Sequence, residues 1–124
     1  MSTPLERLTA ATQAVTSPET LDGFLSGPGP ALLLFTGDPA QRPEAQDVAV
    51  VAGELQRAVS GLRVGVVAHA AEAAVKGRFN VSAVPTVVFL KDGRAVSTVS
   101  RLQEWTVYQR TANLVFGRGK EAQS

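Results

Sequence analysis

Residues 80–96, NVSAVPTVVFLKDGRAV, decide the fold of this chain. The run at 86–90 is apolar and has the length of a strand, and Asp92-Gly93 directly after it is a strong signal for a tight hairpin turn. Residues 94–99 alternate in polarity, which predicts a second strand that is half exposed. The segment is therefore predicted to form an antiparallel β-hairpin.

Upstream of this hairpin, apolar strands and amphipathic helices alternate along the chain. Residues 31–35, ALLLF, form an apolar run between breakers, which is typical of a strand buried on both faces. The helix predicted over 44–59 has one apolar face, made of Val48, Val51, Ala52, Leu55 and Val59, and leaves Val50 off that face. The other predicted elements are helices over 4–11, 18–25, 72–79 and 103–116 and strands over 12–16 and 63–68.

Length and composition limit the class of protein. At 124 residues and 44% hydrophobic, the chain has the size of one domain, which we place at 1–116, followed by a tail at 117–124 that is predicted to be disordered. A formal charge of +1 argues against nucleic acid as the partner. The apolar runs are too short to insert into a membrane, and the first residues do not resemble a signal peptide, so we expect a cytoplasmic protein.

The absence of cysteine excludes several kinds of chemistry. Without cysteine there is no disulfide, no thiolate nucleophile and no cysteine-ligated metal, and the single histidine, His69, excludes a histidine-rich metal site. We therefore expect neither a metal nor a cofactor. His69 follows a predicted strand and is predicted to be a solvated loop residue.

The order β-α-β-α-β-α-β-β-α resembles that of the thioredoxins. ALLLF stands where their central strand precedes the active-site loop, and 80–96 matches their segment of helix end, Val-Pro-Thr, strand, turn and strand. The resemblance covers roughly 21–116. It implies an α/β, thioredoxin-like three-layer sandwich with a mixed central sheet and flanking helices, and a cis peptide bond between Val84 and Pro85.

The loop at 37–44, GDPAQRPE, departs from the thioredoxin pattern. It stands in the place of Trp-Cys-Gly-Pro-Cys, so both sulfurs of a disulfide oxidoreductase are missing. Asp38 and Glu44 are a conceivable carboxylate pair for acid–base chemistry, but no nucleophile, base or metal-ligand set accompanies them. We therefore expect a protein that is not an enzyme.

The same loop points to a narrower family. Residues 35–55, FTGDPAQRPEAQDVAVVAGEL, together with Val-Pro-Thr, the Asp-Gly turn and a helix near Trp105, resemble the hydrogenase expression and maturation proteins of the HyaE, HupG and HoxO type. The resemblance implies a cytoplasmic, non-catalytic chaperone. Its implied partners are the small-subunit precursor of a nickel–iron hydrogenase, with its twin-arginine signal peptide, and other hydrogenase maturation proteins. The alternative is a generic cysteine-free interaction module of another complex.

Six residues are the candidates for binding a peptide. An extended chain can pair with the backbone before the cis-proline, at Val84 and Pro85. Residues 37–54 hold four carboxylates against Arg42, a local charge of −3. Because arginine binds carboxylates in bidentate fashion, the hypothesis is that Asp38, Glu44 and Asp47 meet the basic end of the signal peptide.

Each of these candidates also has a structural interpretation. Asp38 is suited to form a turn, and Glu44 and Asp47 are suited to stabilise a helix N-terminus. Arg42 can pair internally with a neighbouring carboxylate. Trp105 opens an apolar helix face, which favours packing over a binding role.

Overall fold

The structure is a computed structural model that describes residues 2–117. Residues 118–124, most of the predicted tail, lie outside the described residues. The helices are α1 (Pro4–Ala11), α2 (Pro18–Leu25), α3 (Glu44–Ala58), α4 (Glu72–Val75) and α5 (Trp105–Phe116), with 3-10 turns at His69–Ala71 and Lys76–Phe79. The strands are β1 (Gln13–Val15), β2 (Pro30–Phe35), β3 (Arg63–Val67), β4 (Thr86–Lys91) and β5 (Arg94–Ser100).

The five strands form one mixed sheet in the order β1-β3-β2-β4-β5. β1, β3 and β2 run parallel, whereas β4 is antiparallel to both β2 and β5. The predicted hairpin is confirmed, with Lys91 opposite Arg94 across the Asp92-Gly93 turn. β2 lies in the centre of the sheet, as its unbroken apolar run predicts.

A separate apolar core covers each face of the sheet, so the fold has three layers. Alternate residues of β2 point to opposite faces, as the pleat requires. Leu32 and Leu34 pack with α1, α3 and α5, while Leu33 and Phe35 pack with α2 and α4. The structure is thus an α/β sandwich with a mixed central sheet, as predicted.

Short sequence signals explain where the first helices begin. Thr3 and Ser17 each accept a hydrogen bond from a backbone N–H of the first helical turn, at the starts of α1 and α2. Each is followed by a proline at the first helical position, which already has the helical φ. Within the part of the chain that the structure describes, no helix is both long and apolar enough to cross a bilayer.

Three predicted helices differ in their bounds, and the one predicted over 44–59 ends one residue earlier, at Ala58. The helix predicted over 72–79 is a short α-helix between two 3-10 turns, since Gly77 weakens it and Asn80 ends it in the left-handed conformation, with φ 56°. The C-terminal helix begins at Trp105 instead of 103. The reason is that the Gln103 N–H donates to the Tyr108 hydroxyl and Glu104 is extended.

Candidate peptide-binding cleft

A cleft of about 380 Å³ opens at one end of the sheet, where β2 and β3 finish and β4 begins. Three segments line it: the loop after β2, the helical segment after β3 and the loop before β4. The carboxyl ends of parallel strands are the usual place for a binding site in an open α/β sheet. The predicted residues Asp38, Arg42 and Val84 are among the lining residues, and Pro85 follows directly.

Gly37 holds the loop after β2 against the loop before β4. Its φ is +76°, a conformation that favours glycine, and its backbone is buried. A Cβ at this position would lie 2.8 Å from Arg42 Cδ and 2.9 Å from Val84 Cγ2. Gly37, Arg42 and Val84 can therefore approach this closely because Gly37 has no side chain.

Asp38 shapes the turn at the mouth of the cleft. Its Oδ1 accepts the Ala40 N–H at 3.0 Å, and its carbonyl oxygen accepts the N–H groups of Gln41 and Arg42 at 3.0 and 2.9 Å. The turn-forming interpretation of Asp38 is confirmed. The second oxygen of the carboxylate, Oδ2, accepts no hydrogen bond within residues 2–117 and is available to a ligand at the cleft.

Glu72 is a lining residue that the sequence analysis did not single out. Its residue surface is 8% exposed. Oε2 accepts the Gly37 N–H at 2.8 Å, and Oε1 lies 3.1 Å from His69 Nδ1. The carboxylate therefore ties the loop after β2 to the segment after β3.

The position of Glu72 in the predicted order of strands and helices is one sequence signal that points to it. It follows a predicted strand by a few residues, and His69 precedes it by three positions, one helical turn away. His69 was predicted to be a solvated loop residue. Its side chain is 56% exposed, but it starts a 3-10 turn and pairs with Glu72.

The peptide bond between Val84 and Pro85 is cis, as predicted. The Pro85 carbonyl accepts the Arg101 N–H at 2.6 Å. By contrast, neither the N–H nor the carbonyl of Val84 has a hydrogen-bond partner within residues 2–117. Because Val84 is only partly buried, both groups are available to an extended chain laid across it.

The charges at the cleft balance, although the surrounding segment is acidic. Asp38 and Glu72 line it together with Arg42 and Lys76, so these four side chains sum to zero. Within the described residues Arg42 forms no ion pair, so the predicted internal pairing with a neighbouring carboxylate is absent there. Both oxygens of Glu72 already have partners, so Asp38 Oδ2 and the Val84 backbone are the groups left without a partner within residues 2–117.

Glu44 and Asp47 do not line the cleft. Both lie in the first turn of α3, whose N-cap residue, Pro43, makes no side-chain hydrogen bond. Negative charge in a first turn stabilises the exposed N–H groups there, by about 0.3–1 kcal/mol per side chain. Their position is the one that the structural interpretation requires, and it places them directly after the cleft-lining loop.

The side chains at the cleft suit binding, and no thiol is among them. The full sequence contains no cysteine. Among residues 2–117, no three His, Asp or Glu side chains come together in a way that would hold a metal ion. What the cleft offers to a ligand is hydrogen bonding and ion pairing.

Solved structures similar to this chain are thioredoxins. A mutant thioredoxin from Halobacterium salinarum matches with a TM-score of 0.71 and 22% identity, over 94% of this chain and 96% of that one. Thioredoxin O2 from Arabidopsis thaliana matches with a TM-score of 0.71 and 21% identity, over 85% of this chain and 94% of that one. At this identity the likeness shows the fold, so the chain has a thioredoxin-like fold, and its sequence contains no cysteine.

Comparison with the sequences of known proteins shows to which family the chain belongs. The model of the family described as hydrogenase-1 expression protein HyaE matches residues 5–108, and the chain belongs to this family. The hydrogenase expression/formation protein HupG from Rhizobium leguminosarum bv. viciae is 44% identical over 93 residues, 71% of this chain and 62% of HupG. HoxO from Cupriavidus necator, which carries the same description, is 38% identical over 110 residues, 86% of this chain and 68% of HoxO. The chain thus spans about three fifths to two thirds of the length of these relatives.

Proposed function

We propose that this protein is a non-catalytic, cytoplasmic chaperone of hydrogenase maturation that binds the small-subunit precursor of a nickel–iron hydrogenase through its twin-arginine signal peptide, before export. Membership of the HyaE family supports the hydrogenase context. The observation that carries the peptide-binding part is the free backbone of Val84, beside the cis-proline and at the edge of the cleft.

The mode of binding is the addition of a short strand. A peptide in extended conformation accepts a hydrogen bond from the Val84 N–H and donates one to the Val84 carbonyl. Backbone pairing of this kind supplies affinity with little dependence on sequence, so specificity must come from the side chains on either side. This division suits a chaperone whose ligand is unstructured until it binds.

The carboxylates select the basic end of the peptide. Asp38 offers an oxygen without a partner, Glu72 contributes its charge because both of its oxygens already have partners, and Glu44 and Asp47 add negative charge on the adjoining helical turn. Arginine is preferred over lysine for such sites because its planar guanidinium can bind a carboxylate through two hydrogen bonds. Arg42 and Lys76 balance the charge of the cleft, so the attraction for an arginine is confined to the immediate surroundings of the carboxylates.

Calorimetric titration with a synthetic signal peptide tests this proposal. We expect binding that weakens when the arginine pair is replaced by alanines, and weakens less when it is replaced by lysines. A pull-down of the whole small-subunit precursor, with and without its signal peptide, shows whether the signal peptide is also needed for binding when the rest of the subunit is present. Equal capture of both forms would redirect the proposal to the mature subunit.

Charge reversal separates the two groups of carboxylates. Asp38→Lys changes a side chain that lines the cleft, whereas the matched double change Glu44→Lys with Asp47→Lys alters the helical turn beside it. We expect a loss of affinity of about tenfold or more for the first and a smaller loss, which salt abolishes, for the second. If all three changes together leave the peptide affinity unaltered, these carboxylates do not bind the peptide.

A further inference from the structure

Two exposed apolar side chains follow β5, one in the loop and one at the first position of α5. Leu102 is 36% exposed and Trp105 is 39% exposed, although the helix pattern predicts packing for the tryptophan. Tryptophan is enriched at the centres of protein interfaces because it combines a large apolar area with few rotatable bonds. We call these two residues the ledge.

The ledge lies next to the cis-proline. The Arg101 N–H, one residue before Leu102, donates to the Pro85 carbonyl at 2.6 Å. Strand register gives the same placement, since Ser100 at the end of β5 is opposite Thr86 at the start of β4. The segment Val84-Pro85 therefore separates the charged cleft on one side from the ledge on the other.

Hydrogen bonds hold this loop in one conformation. The buried hydroxyl of Tyr108 accepts the Gln103 N–H at 3.1 Å and donates to the Arg101 carbonyl at 3.4 Å. The side chain of Gln103 donates to the Ser100 carbonyl at 3.1 Å. A loop anchored at its start and in its middle loses little entropy when a partner covers it.

Arg101 has a backbone conformation that L-residues rarely adopt. Its φ is +64°, in the left-handed region, which costs about 1–2 kcal/mol for a residue with a side chain. Such residues persist where the surrounding structure holds them, and they cluster at binding sites. Here the turn takes the chain out of β5 and leaves Leu102 in solvent.

We propose that the ledge binds the apolar segment of the same peptide whose basic end enters the cleft. This inference rests on the proposed function and names the second half of the ligand. An extended peptide paired with Val84 advances about 3.3 Å per residue, so a few residues carry it from the cleft past Pro85. The arginine pair lies in the cleft against Asp38, and the apolar run that follows covers Leu102 and Trp105.

The ledge selects by apolar contact and not by charge. The two charged residues of this loop, Arg101 and Glu104, have opposite signs and cancel. A ligand that is basic along its whole length gains nothing from this surface. A ligand that has a basic end followed by an apolar segment matches this surface, with the basic end in the cleft, the backbone paired with Val84 and the apolar segment on the ledge.

The test compares two peptides on three proteins. One peptide carries an arginine pair followed by a leucine-rich segment, and the other carries the arginine pair followed by a glycine–serine segment. The proteins are the wild type, the double variant Leu102→Ser with Trp105→Ser, and the control Leu114→Ser, which changes an apolar residue of α5 that is 80% exposed. All three changes are at exposed positions, and circular dichroism confirms that each variant is folded.

We expect the double variant to bind the leucine-rich peptide about tenfold more weakly than the wild type, because it loses two apolar contacts. It should bind the glycine–serine peptide as the wild type does, and Leu114→Ser should bind both normally. Trp105 is the single tryptophan, so fluorescence emission reports on it directly. In the wild type the emission should shift to shorter wavelength when the leucine-rich peptide binds, and it should not shift when the glycine–serine peptide binds.

Three results would overturn the inference, and they are distinguishable. If the wild type binds neither peptide, the proposed function fails and the ledge fails with it. If the wild type binds both but the double variant is unaffected, the function stands and the ledge is wrong. If the double variant instead turns a dimer into a monomer with unchanged peptide affinity, the ledge is covered by a second copy of the chain and not by the peptide.

Discussion

The sheet end at Gly29 and Asp92 is closed by hydrogen bonds, whereas at the end near Gly37 the backbone groups of Val84 have no partner within residues 2–117. At the closed end, the Gly29 N–H donates to Asp92 Oδ1 at 2.7 Å and the Asp92 N–H donates to the Gly29 carbonyl at 3.0 Å. The Arg63 guanidinium donates to the carbonyls of Phe24, in the last turn of α2, and of Gly27 and Pro28, in the loop before β2.

The open end is lined by charged side chains and by the backbone of Val84, just before β4. Glu72 uses both oxygens to fix neighbouring segments, while Asp38 Oδ2 and the Val84 backbone find no partner within residues 2–117. If the peptide binds at this end as proposed, mutations at the two ends should have separable effects on stability and on binding.

The largest effect on stability is expected for Gly93→Ala at the closed end. Gly93 has φ +81°, and a Cβ there would collide with the Leu25 carbonyl oxygen. We expect the free energy of unfolding to fall by more than about 3 kcal/mol, measured by urea denaturation, because the clash with the backbone adds to the cost of the left-handed conformation. Peptide affinity of the folded protein should not change.

Gly61→Ala is the matched control for Gly93→Ala. Gly61 has φ +76°, but nothing lies within 4 Å of an added Cβ. It should therefore cost only the left-handed conformation, about 1–2 kcal/mol. An equal loss in the two variants would mean that the closed end is less tightly packed than described.

Arg63→Ala should have the next largest effect. The change removes three hydrogen bonds from a cation, at 2.8 to 3.3 Å, and the stacking of the guanidinium 4.7 Å from the Phe24 ring centre. Since Arg63 is only partly buried, we expect a loss of about 2–3 kcal/mol in unfolding free energy. Arg63→Lys should recover only part of it, because an ammonium group cannot reach three carbonyls in one plane.

Glu72→Ala tests the open end. Without the carboxylate the buried Gly37 N–H loses its acceptor, which costs about 1–2 kcal/mol. Glu72→Gln keeps an acceptor and should be closer to the wild type in stability, yet it should still bind the basic peptide more weakly because the charge is gone. Equal peptide affinity of Glu72→Gln and the wild type would exclude Glu72 from the binding site.

The smallest effect is a dependence on alkaline pH that arises at Tyr108. Burial raises the pKa of Tyr108 above its ordinary value of 10.0, and the hydrogen bond from the Gln103 N–H opposes this in part. Between the unfolded and folded pKa values the folded chain keeps a proton that the unfolded chain releases. The unfolding free energy should therefore be unaffected below about pH 10 and fall above it.

Lysine and arginine side chains also titrate at alkaline pH, so the contribution of Tyr108 to stability is isolated by comparing the wild type with Tyr108→Phe. The wild type should lose stability relative to the variant only above about pH 10. Since Tyr108 is the single tyrosine, the tyrosinate absorbance reports its titration directly. A midpoint at or below that of free tyrosine would contradict the burial of the hydroxyl.

Much of the fold could be predicted because local signals agree with one another. Ser17 with Pro18 marks a helix start, and Asp92-Gly93 marks a hairpin turn, and both depend on residues close in sequence. The exposure of Val50, at 49%, follows from its angular position on α3. The cis bond at Val84-Pro85 was predicted from the thioredoxin resemblance and not from local chemistry.

The parts of the site that were not predicted depend on distant contacts. Glu72 meets the Gly37 N–H across 35 positions of sequence, and no local pattern specifies that approach. The exposure of Trp105 was missed for a related reason, because helical periodicity assigns a residue to a face without showing whether another element covers it. The balance of charge at the cleft likewise required the position of Lys76.

Amide hydrogen exchange at Val84 shows directly whether a peptide pairs with this residue. We predict that the Val84 N–H exchanges rapidly in the free protein and becomes protected when the twin-arginine peptide is bound, whereas the Gly29 and Asp92 N–H groups at the closed end keep the same exchange rates. Peptide binding that leaves Val84 exchange unchanged would mean that the peptide does not pair with Val84.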